Sequence, residues 1–352
     1  MEFLPALADA KNYPSLKVRA LPTNKTVREG NYSARKLPKD ITCLGPFDHA
    51  RTGLYVVAKT VTSQKIWIPS YHCPALVEPF IFAGKSVSFY PVNKDLTPDF
   101  SFLNKQVKTG DTVVGIRYFG FDCQIEKLAV FCLQNKSLLI EDLAHAAFFH
   151  KLYAGVAVTS LIKFYPVSQG GELLLSSSSS LVEPLANALK RLPSNNVTML
   201  KNFINKVITK FLPKKPNIYR YFLKKNCSRS INLDDLNVIG LQNQSEIILT
   251  RQKNYRYLIE KLGTSPWGQV LIPELPEKVT PYVVPFLLNN CDGFDHIRQK
   301  GIQIYRWEEM VFTTCAVSKK YRSTLIQLPC HQDLTRQDLD LIVTVLMENV
   351  DE

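Results

Sequence analysis

The sequence predicts an α/β protein with a mostly parallel sheet and a smaller C-terminal α+β domain. Between residues 45 and 176, short apolar runs alternate with segments of helical length, which is typical of parallel strands joined by right-handed crossovers. From residue 236 onward a long amphipathic helix, further apolar runs and a final helix follow. A chain of 352 residues with 45% hydrophobic content is long enough to bury a large core. We expect an N-terminal arm over 1–44, a large domain over 45–235 and a small domain over 236–352.

The large domain is predicted to contain strands that alternate with helices. Strands are predicted at Lys65–Ile68, Ser86–Val92, Asp111–Ile116, Ser137–Asp142 and Leu173–Leu175, and helices at Pro74–Ala83 and Glu126–Gln134. Gly84 directly after the first of these helices is a typical C-terminal stop. Parallel strands place a ligand site at their carboxyl ends, where Ser70, Arg117 and Asp142 are expected to emerge.

The C-terminal region has a different pattern. Ser245–Leu262 is predicted to be a long amphipathic helix, and Val279–Leu288 and Gly301–Ile304 are predicted strands of a second sheet. The final helix covers Thr335–Met347, and Thr335 with Asp338 three residues later is an N-cap signature. Two layers of this kind form a small α+β domain.

The chemistry is indicated by an acid at the end of an apolar run and a lysine about twenty residues later. An apolar run ends in Asp142, and a carboxylate there would keep a pyridine nitrogen protonated by ion pairing. Lys163 follows Ser160 by three residues, a spacing that lets the hydroxyl hold a phosphate while the amine forms a Schiff base with an aldehyde. Taken singly, Asp142 would be a strand-end cap and Lys163 a solvated lysine. Together they predict a site for pyridoxal 5'-phosphate.

Further segments, in one order along the chain, resemble those of a known enzyme family. They are Ala50-Arg51-Thr52-Gly53-Leu54, Ile68 to Pro74, Tyr118-Phe119-Gly120, Ile140 to Ala146, Ser160 to Gly171 and Leu328 to Thr335. This set runs from about residue 45 to the C-terminus and resembles the DegT/StrS-type sugar aminotransferases. Its order and spacing are specific, although a single segment such as Tyr-Phe-Gly carries no information by itself.

The resemblance implies a complete enzyme and its partners. The fold would be that of a pyridoxal-phosphate-dependent transferase of fold type I, with a seven-stranded sheet in the large domain. The activity would be transfer of an amino group, with glutamate as the expected donor and a nucleotide-linked keto sugar as the acceptor, in polysaccharide or glycoconjugate biosynthesis. A homodimer is expected because the family's sites take residues from two subunits. The small domain would close over the cofactor, with Gly301-Ile302 and Trp307 in the matching strand and loop.

The cofactor phosphate is expected at the start of a helix. Backbone amides and a hydroxyl at such a position bind phosphate, and Thr52 and Gly53 supply them. Arg51 is a further candidate, although it would also be in place to pair with Asp48.

Two more positions are expected near the cofactor ring. In the resembled family the segment after the second strand lays a side chain against the ring, which here would be Tyr71 or His72, while Cys73 aligns almost as well. Two adjacent residues cannot both stack there. His145 occupies a position that in the family contacts the ring hydroxyl, and as a lone histidine it would be a core residue.

The identity of the lysine has an alternative. In some family members the lysine follows an aromatic-x-Pro-x segment. If this chain is aligned with them, Ser168 occupies the position of the lysine, and the enzyme would be inactive. Members with a Ser-Leu-x-Lys segment before Pro-x-x-x-Gly-Gly match Ser160 to Gly171 without a gap, and Lys163 is preferred for that reason. In the family an acid is common at the position of Gln169, and this difference is expected to affect how the substrate is bound.

The net charge of +12 is concentrated in the N-terminal segment and in Lys201–Arg229. Residues 200–211 have helical periodicity, so that lysines on a solvated helix face are one explanation. An anionic partner, either a nucleotide-sugar diphosphate or an acidic lipid surface, is the other. We find no nucleic-acid-binding motif, no metal-ligand spacing among the eight cysteines and no transmembrane segment, and a cytoplasmic protein is expected.

Two other functions fit the same residues. A degenerate aminotransferase fold would bind a ligand or partner protein without turnover, if Ser168 takes the place of the lysine. A pyridoxal-phosphate-dependent sugar dehydratase would use another base in place of the lysine. A cofactor bound to lysine makes the protein yellow, and this colour distinguishes an active aminotransferase from both alternatives.

Overall fold

The computed structural model describes residues 2–7, 15–23, 36–194 and 227–349, which contain two sheets. The strands of the large sheet are β1 (Ile41–Phe47), β2 (Lys65–Pro69), β3 (Ser86–Tyr90), β4 (Thr112–Ile116), β5 (Leu138–Leu143), β6 (Val156–Ser160) and β7 (Gly171–Ser176). Their order in space is β1-β7-β6-β5-β4-β2-β3. β7 is antiparallel to β1 and β6, and the other neighbouring pairs are parallel. The predicted mostly parallel seven-stranded sheet is confirmed.

Five described helices accompany this sheet. They are α1 (Ala50–Thr60), α2 (Pro74–Phe82), α3 (Phe100–Gln106), α4 (Ile125–Gln134) and α5 (Val182–Lys190). Every residue of β4 and β6 is buried, as expected for strands of a parallel sheet that is covered on both faces. Gly84 follows the end of α2 with a φ of +83°, a left-handed conformation that favours glycine, so the predicted helix stop is confirmed.

The C-terminal part contains a second, antiparallel sheet with the order β10-β9-β8. Its elements are α6 (Leu233–Leu241), α7 (Gln244–Lys261), β8 (Gly268–Val270), β9 (Val283–Leu288), α8 (Asp292–Gln299), α9 (Ala316–Thr324), β10 (Leu325–Pro329) and α10 (Arg336–Met347). The predicted cap of the last helix is confirmed. The Thr335 side chain accepts from the backbone of Asp338, whose carboxylate accepts from Thr335 in return.

The prediction of a strand at Gly301–Ile304 is wrong. Gly301 has a φ of +92° just after α8, and this conformation interrupts an extended chain. Ile302 forms an isolated parallel bridge with Val18 of the N-terminal segment, so its pairing partner comes from outside the small sheet. The strand that pairs with β9 on that side is β10, for which no strand was predicted.

The predicted boundary between residues 235 and 236 falls inside α6. The carboxylate of Asp235 accepts hydrogen bonds from the hydroxyl and backbone amide of Ser168 and from the amide of Gln169. This contact ties α6 to the turn before β7, and the division into domains stays a prediction. The predicted helix at 200–211 and most of the basic stretch lie outside the described residues.

The two sheets share a hydrophobic core. One cluster of buried side chains contains Val158 of the large sheet together with Phe286 and Leu328 of the small sheet. The two sheets therefore pack against each other through apolar side chains. Within the described part of the chain, no helix has both the length and the apolar character that crossing a membrane requires.

Candidate active site

A cavity of about 520 Å³ lies at the carboxyl ends of the central parallel strands. Ile116 of β4, Asp142 of β5 and Ser160 of β6 form its floor. Its opposite wall comes from the C-terminal part, with Tyr282, Ile304 to Glu309 and Gln327. This is the edge at which open α/β sheets bind ligands, and the volume is typical of a small-molecule site.

Asp142 and Lys163 meet in this cavity. Both line it, and the positive charge of Lys163 is the largest electrostatic influence on the Asp142 carboxyl. Burial nevertheless raises the pKa of Asp142, and burial lowers the pKa of the Lys163 amine although Cys73 and Asp142 oppose this change. One oxygen of Asp142 also accepts the backbone N–H of Ala144 at 2.8 Å, which orients the carboxylate.

His145 lies in the same wall and is held between aromatic rings. Its Nδ1 accepts the backbone N–H of Phe119 at 3.3 Å, so a proton on the neutral ring sits on Nε2. Burial, with a contribution from Lys163, holds the pKa of His145 well below its usual range. The imidazole stacks on Tyr282 with centroids 4.5 Å apart and contacts Trp307 at 5.4 Å. A neutral histidine of this kind donates a hydrogen bond without adding charge.

The start of α1 forms another side of the cavity. His49, Ala50 and Arg51 line it, and the amino end of a helix attracts anions. Gly171 permits this approach, because a Cβ there would lie 2.5 Å from the backbone nitrogen of Ala50. Ser160 lines the cavity nearby.

Thr52 and Gly53 are placed differently from Arg51. Thr52 is buried outside the cavity lining, and its backbone N–H donates to the carbonyl of His49 at 2.9 Å. A Cβ on Gly53 would lie 2.7 Å from the ring of Phe47, so this position faces the core between α1 and β1. The assignment of the phosphate to Thr52 and Gly53 stays a prediction, whereas Arg51 lines the cavity.

The segment Tyr71-His72-Cys73 presents only its cysteine to the cavity. Tyr71 is fully buried against Trp307, with centroids 5.0 Å apart. His72 bonds the carbonyl of Pro69 through Nδ1 and the N–H of Val311 through Nε2, and burial lowers its pKa to about 4. The prediction that Tyr71 or His72 stacks on a cofactor ring receives no support from these positions.

The two candidate lysine positions are clearly separated. Lys163 ends a single 3₁₀ turn after β6 and points its amine towards Tyr282, with the nitrogen 5.4 Å from the ring centroid. Ser168 is exposed, bonds Asp235 and does not line the cavity. The register that puts Lys163 in the site is therefore the one compatible with this geometry.

Ser70 and Arg117 emerge at strand ends as expected but do not line the cavity. Ser70 bonds the hydroxyl of Ser318 at 2.8 Å. Arg117 forms a buried ion pair with Glu141, through Nε at 2.9 Å and Nη2 at 2.6 Å. Successive residues of a strand face opposite sides, so Glu141 points away from the cavity that Asp142 enters.

Sequence reasoning missed several residues of the opposite wall. Tyr282, Tyr305, Arg306 and Gln327 belong to this group. Gln327 is 2% exposed, and its Nε2 has no hydrogen-bond partner among the described residues. Its position as the one polar residue in the strand Leu325–Pro329 was a signal, because a buried amide needs partners. Tyr282, Tyr305 and Arg306 gave no such signal in the sequence, since their position relative to Lys163 depends on packing between distant segments.

The donor groups in the cavity match the parts of pyridoxal phosphate. An amine for its aldehyde is present in Lys163, and a buried carboxylate for its ring nitrogen in Asp142. Ser160, Arg51 and the start of α1 would hold the phosphate, and the neutral His145 would donate to the ring hydroxyl. Among the described residues, no group of histidine, cysteine or acidic side chains is arranged to hold a metal ion.

Comparison with solved structures confirms the fold. PseC of Helicobacter pylori, an aminotransferase involved in the biosynthesis of pseudoaminic acid, is 15% identical and has a TM-score of 0.66 over 87% of this chain and 85% of its own. A DegT DnrJ EryC1 StrS aminotransferase from Brucella abortus is 16% identical, with a TM-score of 0.62 over 87% and 84%. DesV of S. venezuelae, solved in complex with a ketimine intermediate, is 14% identical, with a TM-score of 0.66 over 88% and 85%.

These neighbours agree with the resemblance seen in the sequence, and the chain has the fold of sugar aminotransferases. No protein-family sequence model and no curated protein matches the chain.

Proposed function

We propose that the protein is a pyridoxal-phosphate-dependent aminotransferase acting on a keto sugar, with Lys163 as the residue that holds the cofactor covalently. The observation that carries this proposal is that Lys163 and Asp142 line one cavity at the strand ends and that their charges interact. A lysine or an aspartate alone at a strand end would be explained by its role in the fold. That explanation does not account for both residues lining one cavity. The shared fold of PseC and DesV supports the same activity.

Each lining residue has a distinct task in this proposal. Asp142 holds a proton on the ring nitrogen, which requires its carboxylate to stay charged in the loaded site. His145 donates from Nε2, and Arg51 and Ser160 bind the phosphate. Cys73 and Trp307 exclude water from the ring. Pyridoxal phosphate, when bound, supplies an electron sink that stabilises negative charge on the substrate carbon next to nitrogen.

Lys163 is the proton carrier of the proposed reaction. Burial lowers the pKa of its amine, so a larger neutral fraction is available to accept a proton than an exposed lysine offers. It lies beside the ring of Tyr282, which restricts where the amine moves. The same group would remove the proton from the donor's α-carbon and return one to the acceptor.

Substrate and setting follow from the resembled family. We propose glutamate as the amino donor and a nucleotide-linked keto sugar as the acceptor, used in polysaccharide or glycoconjugate biosynthesis. Tyr305, Arg306 and Gln327 are the cavity residues best placed to meet the acceptor, since they face Lys163 from the other wall. A homodimer in the cytoplasm completes the proposal.

The test is the visible spectrum of the protein with pyridoxal phosphate, before and after borohydride. Wild type is expected to show an absorbance band that borohydride removes, with the reduced adduct on the peptide containing Lys163. Lys163→Ala should lose both band and adduct, whereas Ser168→Ala, its matched control, should keep both. The proposal fails if wild type shows no band, and a binding protein without turnover would then be the explanation. If wild type forms the adduct but transfers no amino group to any keto sugar, the proposed cofactor site stands and the proposed activity is refuted.

A further inference from the structure

A buried arginine connects the small sheet to the turn that carries Lys163. Arg251 lies on α7 and has no exposed surface. Its Nη2 donates to the carbonyl of Lys163 at 3.0 Å, and its Nη1 donates to the carbonyl of Tyr282 at 3.0 Å. One planar group therefore holds the backbone of two residues that line the cavity.

The same guanidinium is held from a third direction. Its Nε donates to the side-chain oxygen of Gln332 at 2.9 Å, and the amide nitrogen of Gln332 donates to the carbonyl of Phe164 at 2.7 Å. The guanidinium also lies over the ring of Phe164, 4.6 Å from its centroid. The carbonyls of Lys163 and Phe164 are thus both held by residues that come from beyond position 250.

Fold stability alone does not account for a charge at this position. The hydrogen-bond acceptors of Arg251 are backbone carbonyls and one amide, all of them neutral. Taking a guanidinium out of water is costly, and an apolar side chain of similar volume often stabilises a core equally well. What an apolar residue cannot do is donate in several fixed directions within one plane.

The turn that ends at Lys163 needs such support. It is a 3₁₀ turn of three residues, Leu161–Lys163, and the N–H groups of Phe164 and Tyr165 both donate to the carbonyl of Leu161 at 2.9 Å, which leaves the carbonyl of Lys163 outside these bonds. The N–H of Leu161 bonds the carbonyl of Gly170 at 2.8 Å, which fixes the beginning of the turn. Arg251 and Gln332 fix its end, where the amine-bearing residue stands.

We propose that Arg251 is a positioning residue, which sets the Lys163 amine relative to Tyr282 and Asp142 by binding the backbone of Lys163 and Tyr282 at once. The proposal rests on the proposed function of Lys163. It assigns no contact between Arg251 and substrate or cofactor. Its consequence is that α7, which lies in the C-terminal part of the chain, sets the geometry of the Lys163 amine through Arg251.

The experiment compares Arg251→Met with Gln252→Ala. Gln252 is the next residue of α7, is 7% exposed and donates to the carbonyls of Glu277 and Val279, away from the Lys163 turn. Two quantities are measured: hydrogen exchange of the peptide containing Lys163 in the cofactor-free protein, and the rate at which borohydride traps pyridoxal phosphate on Lys163.

We expect Arg251→Met to raise the exchange rate of that peptide and to lower the trapping rate, each roughly tenfold. Gln252→Ala should change both by less than about twofold. In turnover, Arg251→Met should lower kcat more than it raises KM, because an amine out of position affects the proton transfer more than substrate binding.

Arg251→Lys separates the presence of a basic side chain from its geometry. It keeps a basic nitrogen donor, but this is a point donor and does not bind the carbonyls of Lys163 and Tyr282 together. We therefore expect it to trap as slowly as Arg251→Met, and trapping at the wild-type rate would refute the proposal. If Arg251→Met does not fold, Gln332→Leu serves in the same comparison, because it removes the acceptor of Arg251 Nε and the bond to the carbonyl of Phe164 at a half-buried position.

Two failures remain distinguishable. Wild type that does not trap pyridoxal phosphate refutes the proposed function, and the exchange comparison in the cofactor-free protein still tests the positioning of the turn. Wild type that traps normally, together with an Arg251→Met protein that matches Gln252→Ala in exchange and trapping, refutes the role of Arg251 alone.

Discussion

The rings of His145 and Tyr282 are stacked with their centroids 4.5 Å apart and an angle of 29° between their planes. His145 follows β5 of the large sheet, and Tyr282 precedes β9 of the small one. The amine of Lys163 lies 5.4 Å from the centroid of the same Tyr282 ring. Tyr282 therefore contacts both Lys163 and His145, and the cavity has both of its walls only when the two sheets pack together.

Replacing Tyr282 with leucine should weaken this junction. Loss of the buried ring removes its contacts with His145 and Phe164, at a cost of about 2 kcal/mol in the free energy of unfolding. The affinity for pyridoxal phosphate should fall roughly tenfold, because His145 and Lys163 lose a common wall. Tyr282→Phe, which keeps the ring, should stay within about twofold of wild type. Urea unfolding and a cofactor titration measure both effects, and equal behaviour of the two variants would contradict the role of the ring.

Asp142→Asn should raise the stability of the cofactor-free protein and lower the activity of the enzyme. Burial raises the pKa of Asp142, so the folded protein holds this proton more tightly than the unfolded chain does. The stabilising contribution of the protonated form is then complete below the unfolded pKa of about 4 and is lost as the pH rises through the folded value.

The cofactor-free variant is accordingly expected to be more stable than wild type at pH 7, with a difference that shrinks as the pH approaches about 4. Its activity should fall by about a hundredfold, since an amide does not keep the ring nitrogen protonated. Urea unfolding at both pH values tests the first expectation. A variant less stable than wild type at pH 7 would show that Asp142 is stabilised in its charged form.

Gly171→Ala should disturb the start of α1. The new methyl group would lie 2.5 Å from the backbone nitrogen of Ala50 and 2.6 Å from the ring of Phe47, so the helix start must move. We expect a loss of about 2 kcal/mol in the free energy of unfolding and a weaker affinity for pyridoxal phosphate and for inorganic phosphate.

Gly155→Ala is the matched control for Gly171→Ala. Its methyl group would meet only Leu138, at an ordinary contact distance of 3.8 Å. Both properties should remain near those of wild type. Unchanged phosphate affinity in a folded Gly171→Ala protein would argue against an anion site at the start of α1.

Cys73 should be shielded by the cofactor. Its thiol lines the cavity, and burial raises its pKa, so that less of the reactive thiolate is present at a given pH. The exposed Cys291 is the internal control. With iodoacetamide at pH 7.5, we expect Cys291 to react at least about tenfold faster than Cys73. Pyridoxal phosphate should slow the reaction of Cys73 further and leave that of Cys291 unchanged, as peptide mass spectrometry would show.

Much of the large sheet and its helices was predictable because their signals are local. The apolar runs of β2, β4 and β5 and the caps of α2 and α10 depend on residues a few positions apart, and these elements were found within one or two residues. The strand at Gly301–Ile304 was predicted wrongly for the complementary reason. Ile302 of this segment pairs with Val18 of the N-terminal segment, a partner nearly three hundred positions away.

The sequence by itself determined the parallel sheet, the acid at the end of β5, the Ser160–Lys163 spacing and the capped final helix, since hydrophobic period and turn chemistry act over short distances. Only the tertiary structure decided that Cys73 faces the cavity while Tyr71 and His72 turn into the core. It also placed Tyr282 and Arg251 against Lys163. Those contacts arise when two sheets bury a common apolar surface, and no local pattern records which side chains will then lie opposite each other.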